Sequence, residues 1–398
     1  MRPYFALLLV LTLACGPAPG DTAGDGSSSG TGDSTGGEPT GGLDAPTWRL
    51  EPGGCGGLYG LVILPDGDLV VAGDLEVDGT TRPWAARYSA AGDELWSVTL
   101  GELPPAAGFL ALDRVDDDLI AVGYHGTDGP SEPLLVRLAA IDGAVLWTRT
   151  GEPAAGALLG AAWSPAHATL WTASGADGAL LVPRYDGDGA LLTTLEGPGG
   201  GYSIGFAAAL AGPDDVIFCG RSSALEGGQM WLGRFGFAGE LQWSAKGPDP
   251  GVGAFADCWD LAVGPDLAAT VAEAGYKGAR ISQYTADGAL AWEFLEPNAA
   301  AQTVDIIGDD VLVAGWSASQ EPAPPMMMGL RSHGSGDRHG WLRRFGPDGL
   351  DPVHTWLGIT QFSPRDLKVH PTGGAVIVGQ LLPPDACATR WLGRVAID

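Results

Sequence analysis

One stretch of the chain gathers side chains that bind metals in other proteins. It runs from Met326 to His339 and holds three successive methionines, two histidines and an aspartate. Imidazole and thioether groups together are ligands that suit copper. His333, Asp337 and His339 are therefore candidate metal ligands. Their spacing matches no specific metal motif, so the alternative is a surface loop whose histidines have no ligand role.

A second group with chemical potential is acidic. Asp260, Asp305 and Asp366 stand at corresponding positions of three successive repeats, ahead of apolar segments. The other repeats hold small residues there, namely Gly60, Ala111, Gly160 and Ala208. If these carboxylates faced a channel mouth, they could bind a cation or a sugar. The alternative, which we favour, is that each carboxylate binds backbone amides near it.

Motifs of catalytic machinery form the third group. The sequence contains no Gly-x-Ser-x-Gly and no His-Glu-x-x-His. The segments 116–118 and 186–189 resemble parts of calcium loops, but neither completes the twelve-residue pattern and both fall where hairpin turns are expected. The sequence therefore favours a protein without catalytic residues. Catalysis would require titratable groups with perturbed pKa values clustered at the mouth of a channel.

A sequence repeat positions these residues. Trp84-Ala-Ala-Arg87-Tyr88, followed by Gly92 and Trp96, recurs about every 50 residues, a spacing within the range of propeller blades. The copies centre on Arg87, Arg137, Arg184, Arg234, Gln283, Arg344 and Arg394. Alternating large and small residues indicate a half-buried strand, and the glycine indicates a hairpin turn. A second hairpin precedes each copy, so each unit is predicted to contain four short strands, A to D.

Seven such units predict an all-β fold. A lone four-stranded sheet cannot bury both faces, but sheets packed radially with tryptophans between them can. We predict a seven-bladed β-propeller of four-stranded antiparallel blades over residues 46–398. The seventh unit lacks its strand D. Residues 44–50 resemble that strand, so the N-terminal strand is predicted to close the last blade.

The first 45 residues predict a location. Residues 1–14 join a basic start to a short apolar run, which is typical of a signal peptide and too short to span a membrane. Leu11-Thr-Leu-Ala14-Cys15 resembles a bacterial lipobox, which implies a lipid on Cys15; the alternative is ordinary cleavage with an unmodified cysteine. Residues 15–45 are predicted to be the lipidated cysteine and a disordered Gly/Ser/Thr-rich tether. The expected location is the cell envelope, at the outer membrane or cell surface.

Charge narrows the choice of partners. The chain has 48 acidic and 21 basic residues, a formal net charge of −27. Such a chain is a poor partner for nucleic acid or anionic lipid headgroups. We therefore expect contact with a membrane only through the N-terminal lipid, and a monomer that binds a protein or glycan not identified by the sequence.

Four cysteines follow Cys15, an even number that indicates two disulfides in an exported chain. In a propeller the B–C loops and the starts of strands A lie on one face. Cys219 and Cys258 fall at these places in adjacent units, and so do Cys387 and Cys55 once the ring closes. The predicted pairs are Cys219–Cys258 and Cys55–Cys387.

The repeat also resembles those of known bacterial propellers. The segments Asp260-Leu-Ala-Val263, Pro65-Asp-Gly67 and Val70-Val-Ala-Gly73, together with the Arg87 stretch, resemble repeats of the PQQ-like and SBBP (YVTN-like) types. Quinoprotein enzymes of that superfamily generally have eight blades, and some use an adjacent cysteine pair. This chain has seven units and no such pair, so we expect no cofactor. Fold does not fix function. The leading hypothesis is a non-catalytic, envelope-anchored binding propeller, and the alternative is an envelope enzyme, either a quinoprotein oxidoreductase or a sugar-acting hydrolase.

Overall fold

Seven four-stranded antiparallel sheets form the part of the chain that the computed structural model describes. The described residues are 48–103, 106–126, 131–151, 156–176, 178–199, 203–222, 228–247, 256–275, 278–318, 338–350, 352–383 and 386–397. Cys15, His333 and Asp337 lie outside them. Within them, no helix is long and apolar enough to cross a lipid bilayer.

The strands follow the four-strand unit predicted from the repeat. The chain first forms β1 (Trp48–Leu50). Blades 1 to 3 are β2 (Leu58–Ile63), β3 (Leu69–Val77), β4 (Thr80–Tyr88), β5 (Glu94–Thr99); β6 (Gly108–Val115), β7 (Asp118–His125), β8 (Glu132–Ala139), β9 (Val145–Thr150); β10 (Gly160–Ser164), β11 (Thr169–Ala176), β12 (Ala179–Asp186), β13 (Leu191–Gly199). Blades 4 to 6 are β14 (Ile204–Leu210), β15 (Asp215–Ser222), β16 (Gln229–Gly236), β17 (Leu241–Lys246); β18 (Ala256–Val263), β19 (Ala269–Gly275), β20 (Gly278–Tyr284), β21 (Leu290–Glu296); β22 (Ala299–Ile307), β23 (Asp310–Ala318), β24 (Arg338–Phe345), β25 (Val353–Thr360). Blade 7 is β26 (Phe362–Val369), β27 (Ala375–Leu381), β28 (Thr389–Val395), joined by β1.

The first strand of each blade is the innermost, and these A strands contact one another in a closed circle around the axis. The short A–B and C–D turns lie on one face of the ring, here called the tight-turn face. The B–C loops and the D–A connections lie on the other, here called the long-loop face. Strands A begin at the long-loop face, so their first residues surround that mouth of the channel.

Closure by the N-terminal strand is confirmed. Strand β1 pairs with β28 antiparallel, with Trp48 opposite Arg394 and Leu50 opposite Leu392. Trp48 and Leu50 pack against the buried cluster shared by blades 7 and 1. Strand β1 covers an edge that would otherwise expose unpaired backbone groups.

Both predicted disulfides are present. Cys55–Cys387 joins blade 1 to blade 7 across the seam, with Cα atoms 5.5 Å apart and a sequence separation of 332. Cys219–Cys258 joins blades 4 and 5, with Cα atoms 5.9 Å apart. A link that closes a long loop restricts the unfolded chain most, so the seam disulfide is expected to stabilise the ring by about 2–4 kcal/mol or more.

The tryptophans fill the spaces between blades, as predicted. Trp231, Trp341 and Trp391 are 2%, 1% and 0% exposed. The tryptophan that ends a unit is half-buried and links two blades, as when the indole Nε1 of Trp96 donates to the carbonyl oxygen of Ala140 at 3.1 Å. These rings are therefore part of the core and do not form a sugar-binding platform.

The central arginine of the repeat has a structural role in blades 1, 2 and 4. Arg87 pairs with Asp68 at 2.7 Å within its own blade. Its Nη1 also donates to the carbonyl oxygen of Ala140 in the next blade at 3.0 Å. Arg137 and Arg234 make the equivalent contacts with Gly187 and Ala286. The repeat thus encodes a clamp between neighbouring blades.

The glycines near the end of strand B have a steric role. A Cβ at Gly123 would lie 2.0 Å from the carbonyl oxygen of Gly108, and one at Gly315 would lie 2.1 Å from that of Ala300. In both blades the glycine therefore allows strand A to approach strand B closely, next to a β-bulge in strand A.

Candidate binding site at the channel mouth

Six of the seven innermost strands contain a β-bulge near the long-loop face. The register shifts in β2, β6, β14, β18, β22 and β26, while the described pairing of β10 is continuous. A bulge inserts one unpaired residue and redirects its side chain. The inserted residues are Tyr59, Leu110, Phe206, Trp259, Gln302 and Arg365. All except Gln302 are half-buried although they belong to the centre of the ring.

Four of these side chains meet in the channel. The guanidinium of Arg365 lies 5.6 Å from the ring centroid of Tyr59 and 5.7 Å from that of Trp259. The rings of Trp259 and Phe206 are 5.3 Å apart. Arg365 belongs to blade 7 and Trp259 to blade 5, and these blades are not neighbours, so their contact crosses the channel. We call Tyr59, Phe206, Trp259 and Arg365 the mouth cluster.

Arg365 carries a charge without a matching partner. It forms no ion pair with the described residues, and its Nε is buried without a hydrogen-bond acceptor among them. Cation–π contact with the two aromatic rings offsets part of the cost of removing the guanidinium from water. Burial lowers the pKa of Arg365, whereas the charges of Tyr59 and Asp74 raise it. Burial also lowers the pKa of Arg338, and the positive charge of Arg365 lowers it further.

Asp74 is the carboxylate whose charge acts on the pKa of Arg365. A backbone amide fixes its position. Its Oδ1 accepts a hydrogen bond from the amide of Gly57 at 2.7 Å. Burial raises the pKa of Asp74 to about 6, against the opposing effects of that amide, Arg390 and Arg365. Asp74 is only 7% exposed. Burial likewise raises the pKa of the Tyr59 and Tyr124 hydroxyls, and Asp74 adds to this. Perturbed pKa values thus occur beside the mouth, but burial is their main cause.

The predicted acidic positions lie deeper in the same channel, and their predicted equivalence is partly wrong. Asp260 and Asp366 directly follow the bulged residues of β18 and β26. Asp305 instead lies two positions further along β22, where Thr303 occupies the equivalent site. Asp305 corresponds to Asp113 of β6, which the sequence comparison did not single out. Strands β18 and β22 carry the bulge at the same place, so the two-residue offset of Asp305 comes from aligning the repeats on residue type alone.

These carboxylates bind backbone amides of the next blade. Oδ2 of Asp366 accepts from Leu61 N at 2.7 Å, and Oδ2 of Asp305 accepts from Val369 N at 2.7 Å. Oδ2 of Asp260 accepts from Val304 N at 2.9 Å and from the Thr303 hydroxyl at 2.8 Å. The local bonds of the favoured alternative occur at Asp260 and Asp366, whose Oδ1 atoms accept from the amides of Leu261 and Leu367 at 2.8 Å. The bonds to the next blade were not predicted, and through them these carboxylates hold neighbouring blades together.

Lys368 completes this acidic layer. Its Nζ lies 3.2 Å from Asp366, and its side chain is 39% exposed to the channel. Burial alone would lower the pKa of Lys368, but the carboxylates of Asp366, Asp305 and Asp260 together raise it well above its usual range. The layer therefore carries its own cation.

Of the three predicted metal ligands, the structure describes His339 alone. His339 lies in β24, opposite Ser317 and Thr360. Among the described residues no group of three or more His, Cys, Asp or Glu side chains could hold a metal ion. His333 and Asp337 fall outside that part of the chain, so their role stays a prediction.

Sequence reasoning missed the mouth cluster. Three of its residues directly precede positions that the repeat comparison marked: Tyr59 before Gly60, Trp259 before Asp260 and Arg365 before Asp366. The fourth, Phe206, precedes Ala207, which the strand pairing shows to be equivalent to Gly60. The available signal was size: this one position varies between aromatic, aliphatic, amide and guanidinium side chains, and every one of them is large.

Comparison with known proteins supports the fold alone. No protein-family model and no curated protein matches the chain. The structure of Sqt1 from Chaetomium thermophilum, bound to the N-terminus of the ribosomal protein L10, is similar with a TM-score of 0.56 at 13% identity, covering 88% of this chain and 99% of that chain. A second Sqt1 structure from the same organism gives a TM-score of 0.53 at 13% identity, covering 89% and 100% of the two chains.

Proposed function

We propose that this protein is a non-catalytic binding propeller of the cell envelope, and that its partner contacts the mouth cluster on the long-loop face. The observation that carries the proposal is the crossing of the channel by Arg365 and Trp259 at 5.7 Å. Half-buried aromatic and arginine side chains in a concave site are the residues that most often dominate binding energy. The propeller is proposed to act as a monomer and to bind a protein segment or a glycan.

The fold is compatible with peptide binding. The similar Sqt1 propeller was solved bound to the N-terminus of the ribosomal protein L10. That likeness concerns the fold, so the partner of this chain is a separate matter. It supports the choice of a protein segment over a glycan as the first class of ligand to test.

The entry of the chain into the ring fits a tethered protein. Trp48 begins β1 at the tight-turn face, where it packs near Gly92 in the C–D turn of blade 1. The 47 residues before it therefore join the propeller on the face opposite the mouth cluster. We propose that lipidated Cys15 and the tether hold the tight-turn face toward the membrane and leave the mouth free. In cells that carry Cys15→Ser, the protein should move from the membrane fraction to the soluble fraction; unchanged membrane association would exclude a lipid anchor at Cys15.

Partner binding is tested by co-purification from the envelope with matched variants. Trp259→Ala removes a ring of the mouth cluster, whereas Ile141→Ser changes a residue of the tight-turn face that is 79% exposed. The proposal expects one protein or glycan to co-purify with the wild type and with Ile141→Ser and to be lost with Trp259→Ala. Loss with both variants, or with neither, would exclude the mouth cluster as the contact.

A sugar-acting hydrolase is a second candidate because Asp74, with its pKa raised to about 6, lies beside the mouth. Glycoside hydrolysis generally uses a pair of carboxyl groups on either side of the scissile bond. Asp74 is 7% exposed and binds Gly57, which favours a structural role. Hydrolysis of a glycan by the wild type that is abolished by Asp74→Asn, with an unchanged melting temperature, would favour the enzyme.

A further inference from the structure

We propose that the mouth cluster recognises a carboxylate group of a peptide, with Arg365 as the residue that pairs with it. This inference rests on the proposed function, since it names the chemistry of the ligand at the same site. It does not depend on the tether or on the identity of the partner.

The first argument is charge. The guanidinium of Arg365 has no ion pair with the described residues, and its Nε is buried without an acceptor among them. Buried charges in proteins are normally paired, and an unpaired one is costly. By contrast, Arg343 pairs with Glu296 at 2.7 Å and Arg221 pairs with Asp257 at 2.9 Å. Arg365 thus keeps donors available for an anion that comes from outside the chain.

The second argument is shape. A guanidinium presents a planar fork of donors that matches the two oxygens of a carboxylate. The Arg365 head contacts the rings of both Tyr59 and Trp259, at 5.6 and 5.7 Å from their centroids. The rings therefore hold the fork in place, and they surround a bound group with apolar surface, where a charge-assisted hydrogen bond is stronger than in water.

The third argument separates a peptide from a neutral sugar. Sugar rings bind by stacking on a free aromatic face, but one face of Tyr59 and one of Trp259 already meet the Arg365 guanidinium. Phe206 also contacts Trp259, with ring centroids 5.3 Å apart. Leu110 and Leu159 are half-buried at the same mouth. Apolar side chains beside a cation suit an apolar stem that ends in a carboxylate.

The fourth argument limits how deep the group can go. Asp366 directly follows Arg365, and Asp260 directly follows Trp259, so a layer of carboxylates lies below the mouth cluster. Lys368 already neutralises part of that layer. An anion is therefore attracted to Arg365 and repelled from the deeper channel, which confines it to the mouth.

The experiment compares acids with their neutral amides, using the mature protein. Ligand-observed NMR at pH 7 measures Kd for N-acetyl-L-phenylalanine and its amide, which mimic a peptide C-terminus. N-acetyl-L-glutamic acid α-amide and the matching glutamine amide mimic an acidic side chain. D-Glucuronate and D-glucose form the glycan arm. We expect at least one peptide acid to bind about tenfold or more tightly than its amide.

Variants assign the difference to one side chain. Arg365→Gln should reduce the acid-to-amide ratio to about 1, and Arg365→Lys should retain only part of it because it keeps the charge and loses the fork. Arg49→Gln, which removes an exposed arginine of β1, should leave the ratio unchanged. Melting temperatures show that each variant is folded.

Three outcomes would overturn the inference: equal binding of acid and amide, a ratio that persists in Arg365→Gln, or preference for glucuronate over every peptide acid. Because no partner is needed, these outcomes are distinct from failure of the proposed function. If the acids bind as expected and no partner depends on Trp259, the carboxylate site stands and the partner-binding role fails.

Discussion

The carboxylate of Asp366 accepts a hydrogen bond from the backbone amide of Leu61 at 2.7 Å, although the two residues are 305 positions apart in the sequence. The bond joins the innermost strand of blade 7 to that of blade 1. Two residues further along strand A, Asp113 joins blades 2 and 3 in the way that Asp305 joins blades 6 and 7: its Oδ2 accepts a hydrogen bond from Trp163 N at 2.6 Å. The seam between blades 7 and 1 is therefore closed at the centre of the ring by the Asp366 carboxylate and at its outer edge by β1, and the Cys55–Cys387 disulfide adds a covalent link.

Replacing Asp366 with alanine should destabilise the ring. The change leaves the Leu61 amide without its acceptor and Lys368 without its nearest carboxylate. We expect the free energy of unfolding in urea to fall by about 1–3 kcal/mol, the cost of an unsatisfied buried group. Asp117→Ala, at an exposed aspartate of the blade 2 turn, should be within about 0.5 kcal/mol of the wild type. Equal losses for both variants would contradict this account.

Glu273 should make stability depend on pH. It is 1% exposed, its Oε1 accepts from Ser282 at 3.2 Å, and burial raises its pKa from 4.5 to about 7 against the effect of Arg280. A raised pKa means that the folded protein holds the proton more tightly than the unfolded chain. The contribution to stability is therefore full below pH 4.5, declines as the pH rises to about 7 and is constant above that.

Glu273→Gln isolates this effect because glutamine is neutral at every pH. The variant should match the wild type near pH 4.5 and exceed it at pH 8 by on the order of 1–3 kcal/mol in urea unfolding. The exposed Glu76→Gln serves as the control and should follow the wild type throughout. A difference between Glu273→Gln and the wild type that does not change with pH would show that the carboxyl does not titrate as described.

Strand β1 should contribute more to stability than the tether that precedes it. Removing residues 46–50 uncovers the edge of β28 and takes Trp48 and Leu50 from the cluster they pack against. We expect the melting temperature of this deletion to drop markedly, while deletion of residues 20–40 leaves it unchanged. Equal melting temperatures would mean that β1 does not close the ring in solution.

Arg365 should reduce stability in the absence of ligand. Methionine can pack between Tyr59 and Trp259 without the cost of a buried charge. We therefore expect Arg365→Met to raise the melting temperature and to lose partner binding, the trade expected at a functional site. Arg343→Met is the matched contrast, because Arg343 is paired with Glu296 and its loss should lower the melting temperature. A lower melting temperature for Arg365→Met would assign Arg365 a structural role.

The sequence predicted the fold well because each blade repeats the same local physics. Alternating apolar residues, turn glycines and interblade tryptophans recur with one period, and that period also places Trp48 beside the last blade and brings the cysteines together in pairs. The mouth cluster was not predicted because it depends on bulges. An extra residue in strand A redirects Trp259 and Arg365 toward the axis, and its position is set by the pairing between strands, which a single sequence does not display. Asp305 was aligned with Asp260 for a different reason: an aspartate occurs in each strand, and only the strand pairing shows that Thr303 occupies the equivalent position.

Site-specific photo-crosslinking in cells tests the central claim most directly. A benzophenone side chain at position 110 lies at the bulge of β6, on the mouth, whereas the same group at position 141 lies on the tight-turn face. The account predicts one discrete crosslinked partner from position 110 that disappears when Trp259→Ala is combined with it, and no such product from position 141. A partner captured from position 141 and not from position 110 would contradict the assignment of the long-loop mouth as the binding site.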